Sequence, residues 1–233
     1  VCKVSIGEYI MESNNFYKKV YNDLYDRGYH SSGFAGNNLL DFLVDNYTLN
    51  ENNRVLDIGC SNGSGVSKIN SLVNSNICYG IDPADKAIQM CIKKNPNDDD
   101  RFKVGALPNI PFDDGYFNVI FSSDVIEHVL PEDIEESLQD IYRVTTKDCN
   151  IFLDIALVPE SHRPDNWKPV YEASNLENLH TGLISSDEWF IKIKDSNFKV
   201  KNHVIEYEED GQQINGKDYS DQEGCLTLHL TKI

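Results

Sequence analysis

One stretch narrows the choice of folds more than any other: Val55-Leu56-Asp57-Ile58-Gly59-Cys60-Ser61-Asn62-Gly63-Ser64-Gly65. A short apolar strand ends at an acid and a glycine, and helical spacing follows at Val66, Ile69, Leu72 and Val73. Glycines between a strand and a helix let the backbone approach a ligand, beside the free N–H groups that open the helix. The same alternation continues downstream. Strands are predicted over Asn53–Gly59, Asn76–Ile81, Arg101–Val104, Tyr116–Ser122 and Asn150–Leu157, with helices over Ser64–Val73, Asp85–Lys94 and Pro131–Val144. Near-continuous apolar strands alternating with amphipathic helices imply a parallel sheet covered on both faces.

The rhythm then changes. A helix is predicted over Ser185–Asp195, followed by strands Lys199–Tyr207 and Cys225–Thr231 with no helix between them. One of these strands must run antiparallel. The expected fold is therefore α/β: a seven-stranded, mostly parallel, doubly wound sheet with an antiparallel C-terminal hairpin. A single domain over 1–233 is expected, with a helical N-terminal cap (1–49), a core (50–157), an aperiodic loop (158–184), and the final helix and hairpin (185–233). A loop that long in a compact domain usually covers a site.

Charge excludes several partners. The chain has 21 Lys+Arg against 38 Asp+Glu, a formal net charge of −17. Such a surface repels phosphate backbones and anionic lipid, so nucleic acid and membrane are not expected partners. No apolar run approaches the roughly 20 residues of a membrane span, and Val1–Tyr9 lacks the basic-then-apolar pattern of a secretory signal. The six cysteines, at 2, 60, 78, 91, 149 and 225, form no CxxC pair. They read as reduced thiols in a cytoplasmic protein, not as a zinc site.

Asp82 closes the second strand, 25 positions after Asp57, where an acid can take both hydroxyls of a ribose. With the glycine loop, this pair resembles the class I S-adenosylmethionine-dependent methyltransferases. Asp57-Ile58-Gly59-Cys60-Ser61-Asn62-Gly63 matches the family's acidic-x-Gly-x-Gly-x-Gly loop, with Ser61 at the middle glycine. Ile81–Ala84, Leu107–Ile120 and Ser122–Val129 are similar to later family segments, in order. The resemblance implies S-adenosylmethionine as cofactor and a Rossmann-like methyltransferase fold. It implies that Gly59, Cys60, Ser61 and Gly63 line the methionine and ribose, and that Asp57 sits near the amino group. It also implies that Asp82 holds the ribose, Pro83 and Leu107 flank the adenine, and Ser123 and Asp124 lie below the methionine. Ala106 stands where the family often has an acid facing the adenine.

A second constellation, Asp124-x-x-Glu127-His128, offers catalytic candidates in Glu127 and His128. Three readings stay open: capping and floor packing, a general base, or a metal pair, with no metal site expected. The acceptor side is expected from His30 in the cap and from His162, Trp167 and His180 in the long loop. Tyr9, Tyr17, Tyr21 and Tyr25 fall at roughly helical spacing and read as packing. His203 and His229 read as strand residues without a chemical role. Together these residues point to methyl transfer onto oxygen or nitrogen of a small polar metabolite, with a sugar preferred. A metal-assisted RNA 2′-O-methyltransferase and a non-catalytic module of the same fold are the alternatives.

Overall fold

The computed structural model describes residues 17–26, 36–157, 184–207 and 224–233. Residues 17–26 are helical (α1). They are followed by α2 (Asn37–Asn46), β1 (Val55–Ile58), α3 (Ser64–Val73), β2 (Cys78–Asp82), α4 (Asp85–Lys94), β3 (Phe102–Val104) and β4 (Phe117–Ser123). Then come α5 (Ile134–Val144), β5 (Thr145–Leu157), α6 (Ser186–Asp195), β6 (Phe198–Tyr207) and β7 (Gly224–Lys232). The strands form one seven-stranded sheet in the order β3-β2-β1-β4-β5-β7-β6. β7 runs antiparallel to both β5 and β6, and the other pairings are parallel. This is the expected mixed sheet.

Alternation along the strands sends side chains to two cores. Leu56 and Ile58 of β1 pack with Ile134, Leu138 and Ile141 of α5 and Trp189 and Ile193 of α6. Val55 packs on the other face with Leu39 and Leu43 of α2, Val66 and Ile69 of α3, and Ile88 and Cys91 of α4. Asp57 shares the Val55 face. Its register partner is Gly80, two residues before Asp82, so both carboxylates leave the sheet on the same side. The chain reverses direction across the sheet between β1 and β4, and the carboxyl ends of those neighbouring strands bound a crevice.

Helices α3 and α4 keep their predicted bounds. Two expectations are corrected. β5 begins at Thr145, five residues before the predicted Asn150. Its register against β4 jumps from Phe117↔Thr145 to Val119↔Asn150, so three extra residues bulge out and bring exposed Lys147 and Asp148 into a strand. Pro131–Asp133 is a 3-10 turn that precedes α5 rather than its first turn. Asp85 is the first residue of α4, next to the N-cap Ala84, whose N–H donates to Asp82 Oδ1 (2.8 Å). By contrast, Ser185 and Glu188 form a reciprocal capping box at α6. His229 is buried, stacked on Phe152 and bonded to Asn150 (2.9 Å), a packing position. Among the described residues, no helix is long and apolar enough to cross a membrane.

Candidate functional site

A cavity of about 250 Å³ opens at the carboxyl ends of β1, β2 and β4. Its floor is the β1–α3 loop. Gly59 and Gly63 have φ of +77° and +78° there, and Gly59 and Cys60 donate their N–H groups to the Ile81 carbonyl (2.8 and 2.9 Å). This ties the loop to the end of β2. Ser61 also has a positive φ, +48°, and its N–H donates to Asp82 Oδ2 (3.0 Å). Asp82 is thus held by two backbone N–H groups, from Ser61 and Ala84.

The sequence-predicted residues Asp57, Gly59, Cys60, Ser61, Asp82 and Pro83 all line this cavity. So do Ala106, Leu107, Ser123, Asp124 and His128. Gly63 does not; a Cβ there would meet Cys91 Sγ at 3.0 Å, so its glycine serves the packing of α3 on α4. Glu127 does not line it either. Its side chain is completely buried, with Oε1 accepting the Ala156 N–H (3.2 Å) and Oε2 without a partner. Residues 126–128 form a single 3-10 turn that directs His128 toward the cavity and Glu127 toward β5. Glu127 therefore sits behind the cavity, against β5, rather than in its lining. Among the described residues, no three His, Cys, Asp or Glu side chains are grouped as a metal would require. His30, His162, Trp167 and His180 lie outside the described residues.

Among the lining residues that carried no predicted site role are three from α1. Tyr17, Tyr21 and Tyr25, four apart along α1, are packed as expected but also form the cavity's upper wall. The Tyr17 hydroxyl accepts the Leu130 N–H (2.8 Å) and donates to Asp133 Oδ2 (3.3 Å). The Tyr21 ring meets His128 edge-on at 6.3 Å. The Tyr25 hydroxyl bonds Ser61 Oγ (2.7 Å). The four-residue spacing was the available signal, but packing and lining produce the same spacing.

Electrostatically the cavity is acidic. Its charged lining comprises Asp57, Asp82 and Asp124, with no lysine or arginine among the described lining residues. Burial, reinforced by the neighbouring Asp82 charge, pushes Asp57 up to about 8. Burial also raises Asp82, while its two backbone donors hold it to about 6. Asp124 is raised by burial and by Asp154 behind it. Among the described residues nothing donates a hydrogen bond to the Asp57 carboxylate. Two neighbouring buried carboxylates with no cation beside them are held above the ordinary carboxylate range, a pattern that clusters at functional sites.

Residues 56–153 match the family model described as a methyltransferase domain. The matched stretch is less than half of the chain. The matched residues run from β1 into β5 and include every lining residue except those of α1 and Gly36. The chain is 30% identical over 115 residues to the methyltransferase-type protein YrhH of Bacillus subtilis (strain 168), covering 48% of this chain and 63% of that one. It is 26% identical over 182 residues to phosphoethanolamine N-methyltransferase of Plasmodium falciparum (isolate 3D7), covering 78% and 66%. The chain thus spans just under two thirds of the length of these curated relatives. Among solved structures, phosphoethanolamine N-methyltransferase 2 of Haemonchus contortus, in complex with phosphomonomethylethanolamine and S-adenosylhomocysteine, superposes with a TM-score of 0.64. That match has 16% identity and covers 99% of this chain and 60% of the other, a likeness of fold.

Proposed function

We propose that the methyltransferase domain binds S-adenosylmethionine in the β1–β2–β4 cavity and methylates a small, polar, amine-bearing acceptor. The observation that carries this reading is the pair Asp57 and Asp82, side by side on one sheet face above a positive-φ loop. The residues fit the cofactor. Asp57, lacking a donor, would receive its ammonium, and Asp82 would take the ribose hydroxyls. Pro83, Ala106 and Leu107 would flank the adenine, and Gly59, Cys60 and Ser61 would leave room for the backbone to approach. When bound, the cofactor supplies a methyl group already activated on a sulfonium. The chain's own residues then need only position the nucleophile and manage its proton.

We favour an amine over a sugar because Asp124, Tyr17, Tyr21 and His128 all line the cavity, the Tyr21 ring edge-on to His128. A carboxylate beside aromatic rings receives an ammonium group, and His128 is placed to take the proton that makes it a nucleophile. The relatives named for phosphoethanolamine support this preference. The sugar reading rested on Trp167 and its loop, which lie outside the described residues.

The direct test is calorimetry with S-adenosylhomocysteine, followed by a methyl-transfer assay on paired panels of amines and sugars. Turnover of sugars alone would overturn the amine assignment, and absence of any binding would overturn the cofactor. Exhaustive chelation should leave turnover unchanged. Loss with chelator and return with magnesium would instead support the metal-assisted RNA alternative, which the charge of −17 opposes. Gly63→Ala separates packing from binding. It should lower stability in a urea titration by about 1–2 kcal/mol, through strain at its positive φ, while cofactor affinity holds within about twofold.

A further inference from the structure

Ser61 is an odd choice of residue for its place. Its φ of +48° lies where L side chains are strained, and glycine would adopt it freely. The serine hydroxyl is nonetheless used: it bonds the Tyr25 hydroxyl at 2.7 Å. Tyr25 belongs to α1, 36 positions away, and is nearly buried against Ala84 and Ala87 at the start of α4. Both residues line the cavity, and the Ser61 N–H lies on Asp82. One side chain therefore joins the helix that roofs the cavity to the loop that floors it.

Other links hold the same helix. Lys18 and Asn22 reach Asp85 (3.0 and 3.4 Å), and Lys86 pairs with Asp26. These ties are on α4, outside the cavity lining, and the ion pairs are exposed, where such pairs contribute little. Tyr17 and Tyr21, which also line the cavity, hold the helix to Leu130, Asp133 and His128; the Tyr25–Ser61 bond differs because its partner is the loop residue that contacts Asp82.

We infer that docking of α1 and binding of the cofactor are a single linked equilibrium, transmitted through the Tyr25–Ser61 hydroxyl pair, with Tyr25 a cofactor-positioning residue supplied by the roof. The inference rests on the cofactor reading above. With α1 docked, Ser61 is fixed and Asp82 is presented to the ribose side. With ligand on Asp82, the loop is fixed and favours docking. By linkage each process strengthens the other by the same factor.

The test combines S-adenosylhomocysteine calorimetry with amide hydrogen exchange of residues 17–26, with and without that ligand. The proteins are the wild type, Tyr25→Phe, Ser61→Ala, Ser61→Gly and the Tyr25→Phe/Ser61→Ala double variant. Tyr25→Phe keeps the ring against Ala84 and Ala87, so the fold is retained. Loss of one neutral hydrogen bond predicts roughly 3- to 10-fold weaker binding in each single variant, and the double variant should be no weaker than either. Ligand should slow exchange of 17–26 in the wild type and much less in the variants. Ser61→Gly is the sharpest arm. A purely structural serine would be replaced without loss, since glycine relieves the strain; here thermal stability is expected to rise while affinity falls. Additive losses, unchanged affinity in Tyr25→Phe, or ligand protection of 17–26 equal in all proteins would overturn the inference. A wild type that binds no S-adenosylhomocysteine would overturn the cofactor reading with it, whereas wild-type binding with indifferent variants overturns the linkage alone.

Discussion

Asp82→Ala is expected to weaken S-adenosylhomocysteine binding by roughly 10- to 150-fold, the equivalent of about 1.5–3 kcal/mol of lost charge-assisted hydrogen bonding. The loss comes from two sides. The ribose hydroxyls lose their acceptor, and the Ser61 and Ala84 N–H groups lose theirs, which frees the β1–α3 loop from the end of β2. One effect acts in the opposite direction. Asp82 raises Asp57 by like-charge proximity, so its removal lets Asp57 ionise more readily and improves the grip on the ammonium. Two orphaned backbone donors plus the ribose outweigh that relief, because Asp57 is raised first by burial and only second by Asp82. Asp82→Asn keeps one side-chain oxygen and should fall between. Calorimetry on both variants decides the matter. An Asp82→Ala protein binding within about twofold of wild type would remove Asp82 from the site.

The cofactor half of the cavity was legible because it is built from positions that obey strong local rules. Asp57 and Gly59 close an apolar strand, Asp82 closes the next, and parallel register sets both acids on one face. Bounds were legible for α3 and α4, where spacing of apolar residues is unambiguous. They were not for β5, because a bulge carries polar residues into the strand and breaks the pattern that marks one. Nor could the sequence say which of Glu127 and His128 faces the cavity. Successive residues of a 3-10 turn diverge by about 120°, so a change of one residue in phase exchanges their places. Gly63 shows the same limit: the motif requires a glycine, yet the tertiary neighbour that enforces it is Cys91 on α4. The tyrosines of α1 failed for another reason. Their hydroxyls reach Asp133, Leu130 and Ser61, all distant in the chain, and periodicity carries no information about such partners.

Cofactor affinity should rise steeply with pH between 6 and 8 while the stability of the ligand-free protein falls. Asp57 titrates near 8 and Asp82 near 6 in the folded chain, both well above the ordinary carboxylate range, first because of burial. Glu127 is likewise pushed to about 8 by burial and by Asp124. Between about pH 4 and pH 8 the folded state keeps protons on these groups that the unfolded chain has lost. Stability is therefore present at low pH and lost as pH rises through the folded values. His229 works the other way: burial lowers it to about 4, so its contribution is present above about 6.5 and lost as pH falls. Above 6.5, of these groups only the carboxyls act, and the ligand-free protein should lose roughly 2–5 kcal/mol between pH 6 and 8, read as a falling melting temperature. A cationic ligand requires Asp57 and Asp82 ionised, so it binds with proton release. If both must be charged, affinity for S-adenosylhomocysteine should increase on the order of 100-fold from pH 6 to 8, most of it from Asp57. Calorimetry in buffers of different ionisation enthalpy would count the protons released. Asp57→Asn should abolish most of the pH dependence and raise the stability of the ligand-free protein at pH 8, because it removes a charge from a buried site. A wild-type affinity flat across this range, or a pH dependence surviving in Asp57→Asn, would show that the carboxylate pair is not the ammonium receptor.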